Sequence, residues 1–162
     1  MVKKLTLCII HDHQRVLLGM KKRGMGVGFS SGKQGFGKGR WNGFGGKVEL
    51  GETIEGAAER EVFEEAGVRV KDLEKMGVIE FENPGDPQSL EVHIFKAISF
   101  VGNPTESDEV KPRWFDIDEI PFDQMWPDDK YWLPLFLEGK KFKARFVLEG
   151  QDKVLDYKLE LV

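Results

Sequence analysis

Between Thr53 and Gly67 the sequence reads Ile54-Glu55-Gly56-Ala57-Ala58-Glu59-Arg60-Glu61-Val62-Phe63-Glu64-Glu65-Ala66. Thr53 suits an N-cap, Glu55 puts an acid in the first turn and Gly67 suits a left-handed C-cap, so residues 54–66 are predicted to form a helix. At about 100° per residue, Glu61 and Glu65 fall on the stripe of Ile54, Ala57 and Ala58, with Glu64 close beside them. The face that should pack inward is therefore acidic. Like charges at i, i+4 spacing destabilise a helix, and two unit charges about 4 Å apart repel by roughly 4 kcal/mol at an effective dielectric of 20. Arg60, the only base in the helix, sits well round from Glu65. A hard divalent cation would resolve the conflict, and magnesium takes carboxylate oxygens while keeping several waters. The competing reading is a solvated acidic face.

The remaining pattern is mostly strand. Leu5 to Ile10 and Arg15 to Met20 are apolar runs around a His11-Asp12-His13-Gln14 turn, which predicts a hairpin. Further strand-like runs are Gly77 to Glu82, Leu90 to Phe100 and Arg113 to Ile117, and Phe142 to Leu148 with Val154 to Leu161 predicts a second hairpin. A shorter helix is expected around Asp128 to Leu137, with weak boundaries because it contains Pro134. Strands with two or three helices point to an α+β fold, a mixed β-sheet sandwich with helices packed on its faces. A length of 162 residues fits a single domain over 1–162, since such a chain can bury roughly 70% of its unfolded surface.

A net charge of -4 argues against binding to a nucleic acid polymer, although a single nucleotide is compatible with it. Cys8, the only cysteine, reads as a buried thiol in a reducing compartment. The apolar run after Met1-Val2-Lys3-Lys4 is too short for a secretory segment or a membrane span, so a cytoplasmic protein is expected, with no membrane partner. Residues 24–39 are glycine-rich, and Gly24-Met25-Gly26-Val27-Gly28 matches Gly35-Phe36-Gly37-Lys38-Gly39 as an imperfect duplication that reads as a surface loop. It is not a P-loop, because Val27 and Gln34 stand where that motif needs glycine and a hydroxyl residue. His11 and His13 lack metal-ligand spacing, and His93 in an apolar strand reads as structural.

The acidic helix sits in a longer pattern. Gly46, Glu52, Arg60-Glu61, Val62, Glu64-Glu65, Gly67 and Val68 follow at the spacing of the Nudix box, and residues 46–68 meet every specified position. The chain therefore resembles the Nudix hydrolase family. That resemblance implies a loop-helix-loop that binds Mg2+, with Mn2+ able to substitute, and cleaves a nucleoside diphosphate linked to another group. In it Glu61, Glu64 and Glu65 ligate the metal, with Glu109 and the Gly45 carbonyl adding oxygen ligands. Glu65 or a neighbouring carboxylate serves as base, and Arg60 pairs with Glu52 to hold the helix against its preceding loop.

Outside the box, Gly39-Arg40-Trp41-Asn42-Gly43-Phe44-Gly45-Gly46-Lys47-Val48, Glu106-Ser107-Asp108-Glu109 and Met125-Trp126-Pro127-Asp128-Asp129 resemble the branch of the family that hydrolyses oxidised purine nucleoside triphosphates. The likeness implies a purine between Trp126 and a wall including Phe81, with Asn42, Asp128 and Asp129 on its hydrogen-bonding edge and Pro127 beside them. Thr6 and Lys21 would touch the nucleotide, and the backbone of Phe44, Gly45, Gly46 and Lys47 would line the cavity. It implies substrates of the 8-oxo-dGTP and 2-hydroxy-dATP type, cut to monophosphate and pyrophosphate by a monomer. Residue by residue the base edge stays open: Trp126 suits stacking or core, and Asp128-Asp129 suits a purine edge or an N-cap. Two acids facing a dry pocket would keep one protonated by repulsion and desolvation. The family's loop between Arg23 and Arg40 is shorter, so whether Met25 or Phe36 takes its aromatic pocket position is open. Leu90 and Asn83 stand where the family has methionine and phenylalanine. Another nucleoside diphosphate derivative as substrate, or a silent nucleotide-binding module, are the competing functions.

Overall fold

In the computed structural model, which describes residues 1–22 and 39–162, β1 (Val2–His11) and β2 (Arg15–Lys21) form the predicted hairpin. Their register partners are Ile10 with Leu17 and His11 with Val16, next to the turn. Beyond those pairs the strands part company. β2 runs antiparallel to β8 (Val110–Asp116) along its length and meets β3 (Trp41–Asn42), whereas β1 pairs in parallel with β6 (Ser89–Ala97). β5 (Glu74–Glu82), β9 (Phe142–Glu149) and β10 (Lys153–Leu161) complete a mixed sheet of order β10-β9-β5-β6-β1-β2-β3.

The edge of β1 that β2 leaves as the two strands part is covered by the glycine turn. Phe44 and Cys8 exchange backbone hydrogen bonds of 3.0 and 2.6 Å, Thr6 N–H donates to the Gly46 carbonyl at 2.8 Å, and Val48 N–H donates to that of Lys4 at 3.1 Å. These bonds satisfy the backbone of β1 and fix residues 44–48 against it.

Because side chains alternate along a strand, β1 feeds two cores. Leu5 and Ile9 join Val16, Leu18 and Trp41 in a core closed by Trp132, Leu133 and Phe136 of α2 (Asp129–Leu137). Cys8 and Ile10 join Leu17, Phe44 and Phe95 in a core closed by Ala58, Val62 and Ala66 of α1 (Ile54–Ala66). The two helices thus cover opposite faces of β1, as expected for an α+β fold with helices on sheet. Burial pushes the Cys8 thiol up to about 12, so it behaves as a small apolar group.

Helix α1 has the predicted bounds. Thr53 Oγ1 accepts the Gly56 N–H, and Gly67 at φ 73° takes the left-handed cap. Other boundaries moved. The run from Leu90 to Phe100 breaks after Ala97, and β7 (Phe100–Val101) pairs instead with β4 (Arg69–Val70) in a separate ribbon. Ile117 leaves β8 for a 3-10 turn. The expected duplication at 24–39 lies outside the described residues except for Gly39, as do Met25 and Phe36. Among the described residues no helix is long and apolar enough to cross a membrane.

Candidate active site

Glu65 is 2% exposed on the inner side of α1. Its Oε1 accepts the Gly45 N–H at 2.8 Å and its Oε2 lies 2.6 Å from Lys21 Nζ. Burial pushes this carboxyl upward, opposed by the Lys21 cation and then the Gly45 N–H. The positive charge that the acidic stripe demands therefore comes in part from a lysine on β2, which helix-based reasoning misses. Glu61 is half-buried and also pushed up by burial, with the Arg60 guanidinium opposing at 2.8 Å.

Two glycines seat these acids. A Cβ on Gly46 would come within 2.7 Å of the Glu61 carboxylate, and one on Gly45 would lie 1.8 Å from the Thr6 carbonyl. The loop backbone thus touches both carboxylates because it carries no side chains.

Arg60 straps the loop as expected. Its Nε and Nη2 donate to the two Glu52 oxygens at 2.7 and 2.9 Å, and Nη2 also reaches the Lys47 carbonyl at 3.1 Å. Glu52 closes the turn by accepting the Glu49 N–H at 2.9 Å, and the guanidinium holds the Glu52 carboxyl below its usual range. Glu64 departs from the predicted inward position: it is exposed, with Arg60 Nη1 at 3.3 Å. Being one residue before Glu65, it points some 100° further round the helix. Glu109 is also exposed; it precedes Val110, the register partner of Lys21, and its carbonyl accepts the Lys22 N–H at 2.8 Å.

Four more of the expected residues, Trp126 to Asp129, lie at the start of α2. Asp128 and Asp129 are 3% and 2% exposed. Asp128 occupies the N-cap position but makes no capping bond and has helical backbone angles; its Oδ2 accepts the Trp132 Nε1–H at 2.9 Å. Asp129 Oδ2 is buried without a hydrogen-bond partner among the described residues. Both carboxyls are pushed up, each foremost by burial, and the charge of Asp128 adds to the effect at Asp129. Trp126 and Pro127 are half-buried beside them, Phe81 stacks on Phe146 at 5.9 Å, and Asn42 Oδ1 accepts the Gly43 N–H at 2.9 Å. Thr6 Oγ1 is buried and unpartnered among the described residues, and Phe44 is fully buried under α1.

The stretch 40–46 touches both groups, with Gly45 at Glu65 and Arg40 at Trp126 and the Met125 carbonyl. Arg40 was not legible as a site residue, because a base at the end of a glycine loop carries no periodic signal. Among the described residues no three His, Cys, Asp or Glu side chains converge as a ready metal cage. The donor set nonetheless fits a hard cation: buried Glu65 and half-buried Glu61 offer carboxylate oxygens against one glycine turn, and magnesium commonly takes few protein ligands and completes its shell with waters and phosphates.

An acidic helix clamped by an arginine strap onto a glycine turn, on a mixed sheet with a helix on each face, defines the class to which the chain belongs. The NUDIX domain model matches residues 4–136, and the chain belongs to the Nudix family. It is 52% identical over 157 residues, 97% of this chain and 94% of the relative, to the oxidized purine nucleoside triphosphate hydrolase of Mus musculus. Identity to the Danio rerio protein of the same name is 51% over 160 residues, 99% of this chain and 96% of that one. A MutT protein from Bacillus halodurans superposes with a TM-score of 0.81 at 29% identity, covering 98% of this chain and 97% of its own.

Proposed function

We propose that this chain hydrolyses oxidised purine nucleoside triphosphates, of the 8-oxo-dGTP and 2-hydroxy-dATP type, to the monophosphate and pyrophosphate, and so clears damaged nucleotides from the cytoplasmic pool as a single-domain monomer. The observation that carries this reading is the buried acid pair Asp128-Asp129 beside Trp126, in a chain about half identical to relatives named for that activity. A paired carboxyl edge with a stacking ring suits a base whose donor and acceptor pattern has been altered by oxidation.

Glu61 and Glu65, assisted by Glu64, Glu109 and the Gly45 carbonyl, would hold Mg2+ or Mn2+. When bound, the metal screens the polyphosphate and makes water a competent nucleophile near neutral pH. Glu65, raised by burial and oriented by the Gly45 N–H, is suited to take the proton of the attacking water. Arg60 and Glu52 act by position, fixing the turn 46–52 beneath the helix. Thr6 and Lys21 would touch the nucleotide, and the backbone of Phe44 to Lys47 would line the same cavity. Asn42, Phe81, Trp126, Pro127, Asp128 and Asp129 would read the base. Phosphoryl transfer needs little beyond such positioning and charge.

The test is a steady-state panel of 8-oxo-dGTP, 2-hydroxy-dATP, dGTP and ADP-ribose with Mg2+. Oxidised purines are expected to give the highest kcat/KM and to release pyrophosphate. A preference for ADP-ribose, or binding without turnover, would overturn the reading.

A further inference from the structure

Arg40 stands where the glycine-rich segment rejoins the sheet: its carbonyl accepts the Lys21 N–H at 3.1 Å, and Trp41 begins β3. A basic side chain there would ordinarily reach into solvent, yet that of Arg40 is only 19% exposed. Its guanidinium makes three contacts with two separate parts of the chain. Nη1 donates to the Met125 carbonyl at 2.9 Å, Nη2 pairs with the Asp152 carboxylate in the β9–β10 turn, and Cζ lies 5.1 Å from the centroid of the Trp126 ring. Only a planar fork can lie on an aromatic face while donating in two directions from its edge; a lysine ammonium cannot do all three.

The Asp152 side chain is 86% exposed, so the ion pair contributes little to stability by itself. Its consequence is where it holds the guanidinium. Met125 and Trp126 lead directly into Pro127, Asp128 and Asp129, so whatever fixes Met125 and Trp126 also fixes the approach to the acid pair. We propose that Arg40 is a positioning residue for base recognition: it ties Trp126 and the Met125 carbonyl to the C-terminal hairpin and thereby sets the ring face on which a purine stacks. The Arg40 charge is also felt by both aspartates, where it opposes the upward push of burial. The inference rests on the base-reading role given above to Trp126, Asp128 and Asp129.

It makes the β9–β10 turn, far along the chain from the acidic helix, a determinant of selectivity. The test compares the full chain with Arg40→Met, Arg40→Lys and Asp152→Asn variants, measuring kcat and KM with Mg2+ for 8-oxo-dGTP and dGTP. Arg40→Met is expected to raise KM for 8-oxo-dGTP about tenfold with kcat within about threefold, because a stacking surface is lost while the chemistry is not. The 8-oxo-dGTP to dGTP ratio of kcat/KM should fall with it, Arg40→Lys should recover only part, and Asp152→Asn should move both readouts in the same direction by about threefold. A merely structural role would lower kcat for both nucleotides alike and leave the ratio intact, and that result overturns the proposal. Should Arg40→Met fail to fold, Asp152→Asn decides, since it alters an exposed side chain, and an unchanged ratio there overturns the proposal equally. A wild-type chain without preference for 8-oxo-dGTP sinks the base reading itself, whereas a preference that survives Arg40→Met and Asp152→Asn sinks only the role of Arg40.

Discussion

Lys21 Nζ lies 2.6 Å from Glu65 Oε2, so a lysine on the second strand supplies a positive charge to the buried acid of the first helix. The pair is enclosed, with side chains 18% and 3% exposed. A divalent ion at Glu65 would neutralise the same carboxylate, and Nζ would then be available to a phosphate. With a metal bound at Glu65, Lys21 would couple the stability of the fold to the state of that site.

Lys21→Met is expected to destabilise the metal-free protein by about 3 kcal/mol, because a buried carboxylate loses its partner. Magnesium should restore more stability to the variant than it adds to the wild type. Thermal unfolding in EDTA and in excess Mg2+ measures this; equal gains in both proteins would show that Lys21 and the metal do not share Glu65.

The two glycines of the turn should fail differently. On Gly46 a Cβ meets the Glu61 carboxylate at 2.7 Å, a group that can swing away, so Gly46→Ala should fold but lose about tenfold or more in Mg2+ affinity. On Gly45 the obstacle is the Thr6 carbonyl at 1.8 Å, backbone that cannot yield, so Gly45→Ala should lose folded protein. Calorimetric titration of the first and expression with circular dichroism of the second distinguish them; a Gly45→Ala variant of native stability would contradict the close packing of the turn on β1.

Helix α1 was legible in the sequence to the residue because its two ends carry chemistry of their own: the Thr53 hydroxyl and the conformational freedom of Gly67. The long strands were legible from their apolar runs. Pieces such as Trp41–Asn42 and Arg69–Val70 were not, since two residues hold no periodicity and exist only because a neighbouring strand is there. The site divides in the same way. The Glu52–Arg60 strap is implied by the Nudix resemblance, but the Lys21–Glu65 and Arg40–Asp152 pairs span 44 and 112 residues of sequence and carry no local signal. Glu64 is exposed rather than inward because a helix stripe has a width that period alone does not set.

Replacing Arg60 by Lys removes the fork that grips both Glu52 oxygens. Since strap and carboxylate are partly exposed, the stability cost should be small. The loss of turnover should be larger, about ten- to a hundredfold, because the turn that seats Glu61 loses its anchor. Glu65→Gln should lose about a hundredfold or more, as expected for a general base. Parallel kcat and melting measurements test both, and an Arg60→Lys enzyme with wild-type turnover would remove the positional role.

The acid pair predicts a pH dependence. Asp128 and Asp129 are both raised above the ordinary carboxylate range by burial, so between that range and their raised values the folded state keeps a proton that the unfolded chain has released. The unfolded state binds fewer protons there, and stability falls as pH rises through the window. Trp132 favours the ionised form of both carboxyls, but the charge of Asp128 raises Asp129, whose Oδ2 has no hydrogen-bond partner among the described residues, which makes Asp129 the better proton carrier in the free protein. Asp129→Asn should therefore stabilise the protein at pH 8 by on the order of 1 to 3 kcal/mol, with the gain shrinking as pH falls toward 4. Asp128→Asn should shift base selectivity differently, because the Asp128 carboxylate accepts the Trp132 Nε1–H at 2.9 Å. Melting curves of wild type and Asp129→Asn from pH 4 to 8 measure the first effect, and a stability difference that stays constant across that range would mean that the pair does not hold a proton between its carboxyls.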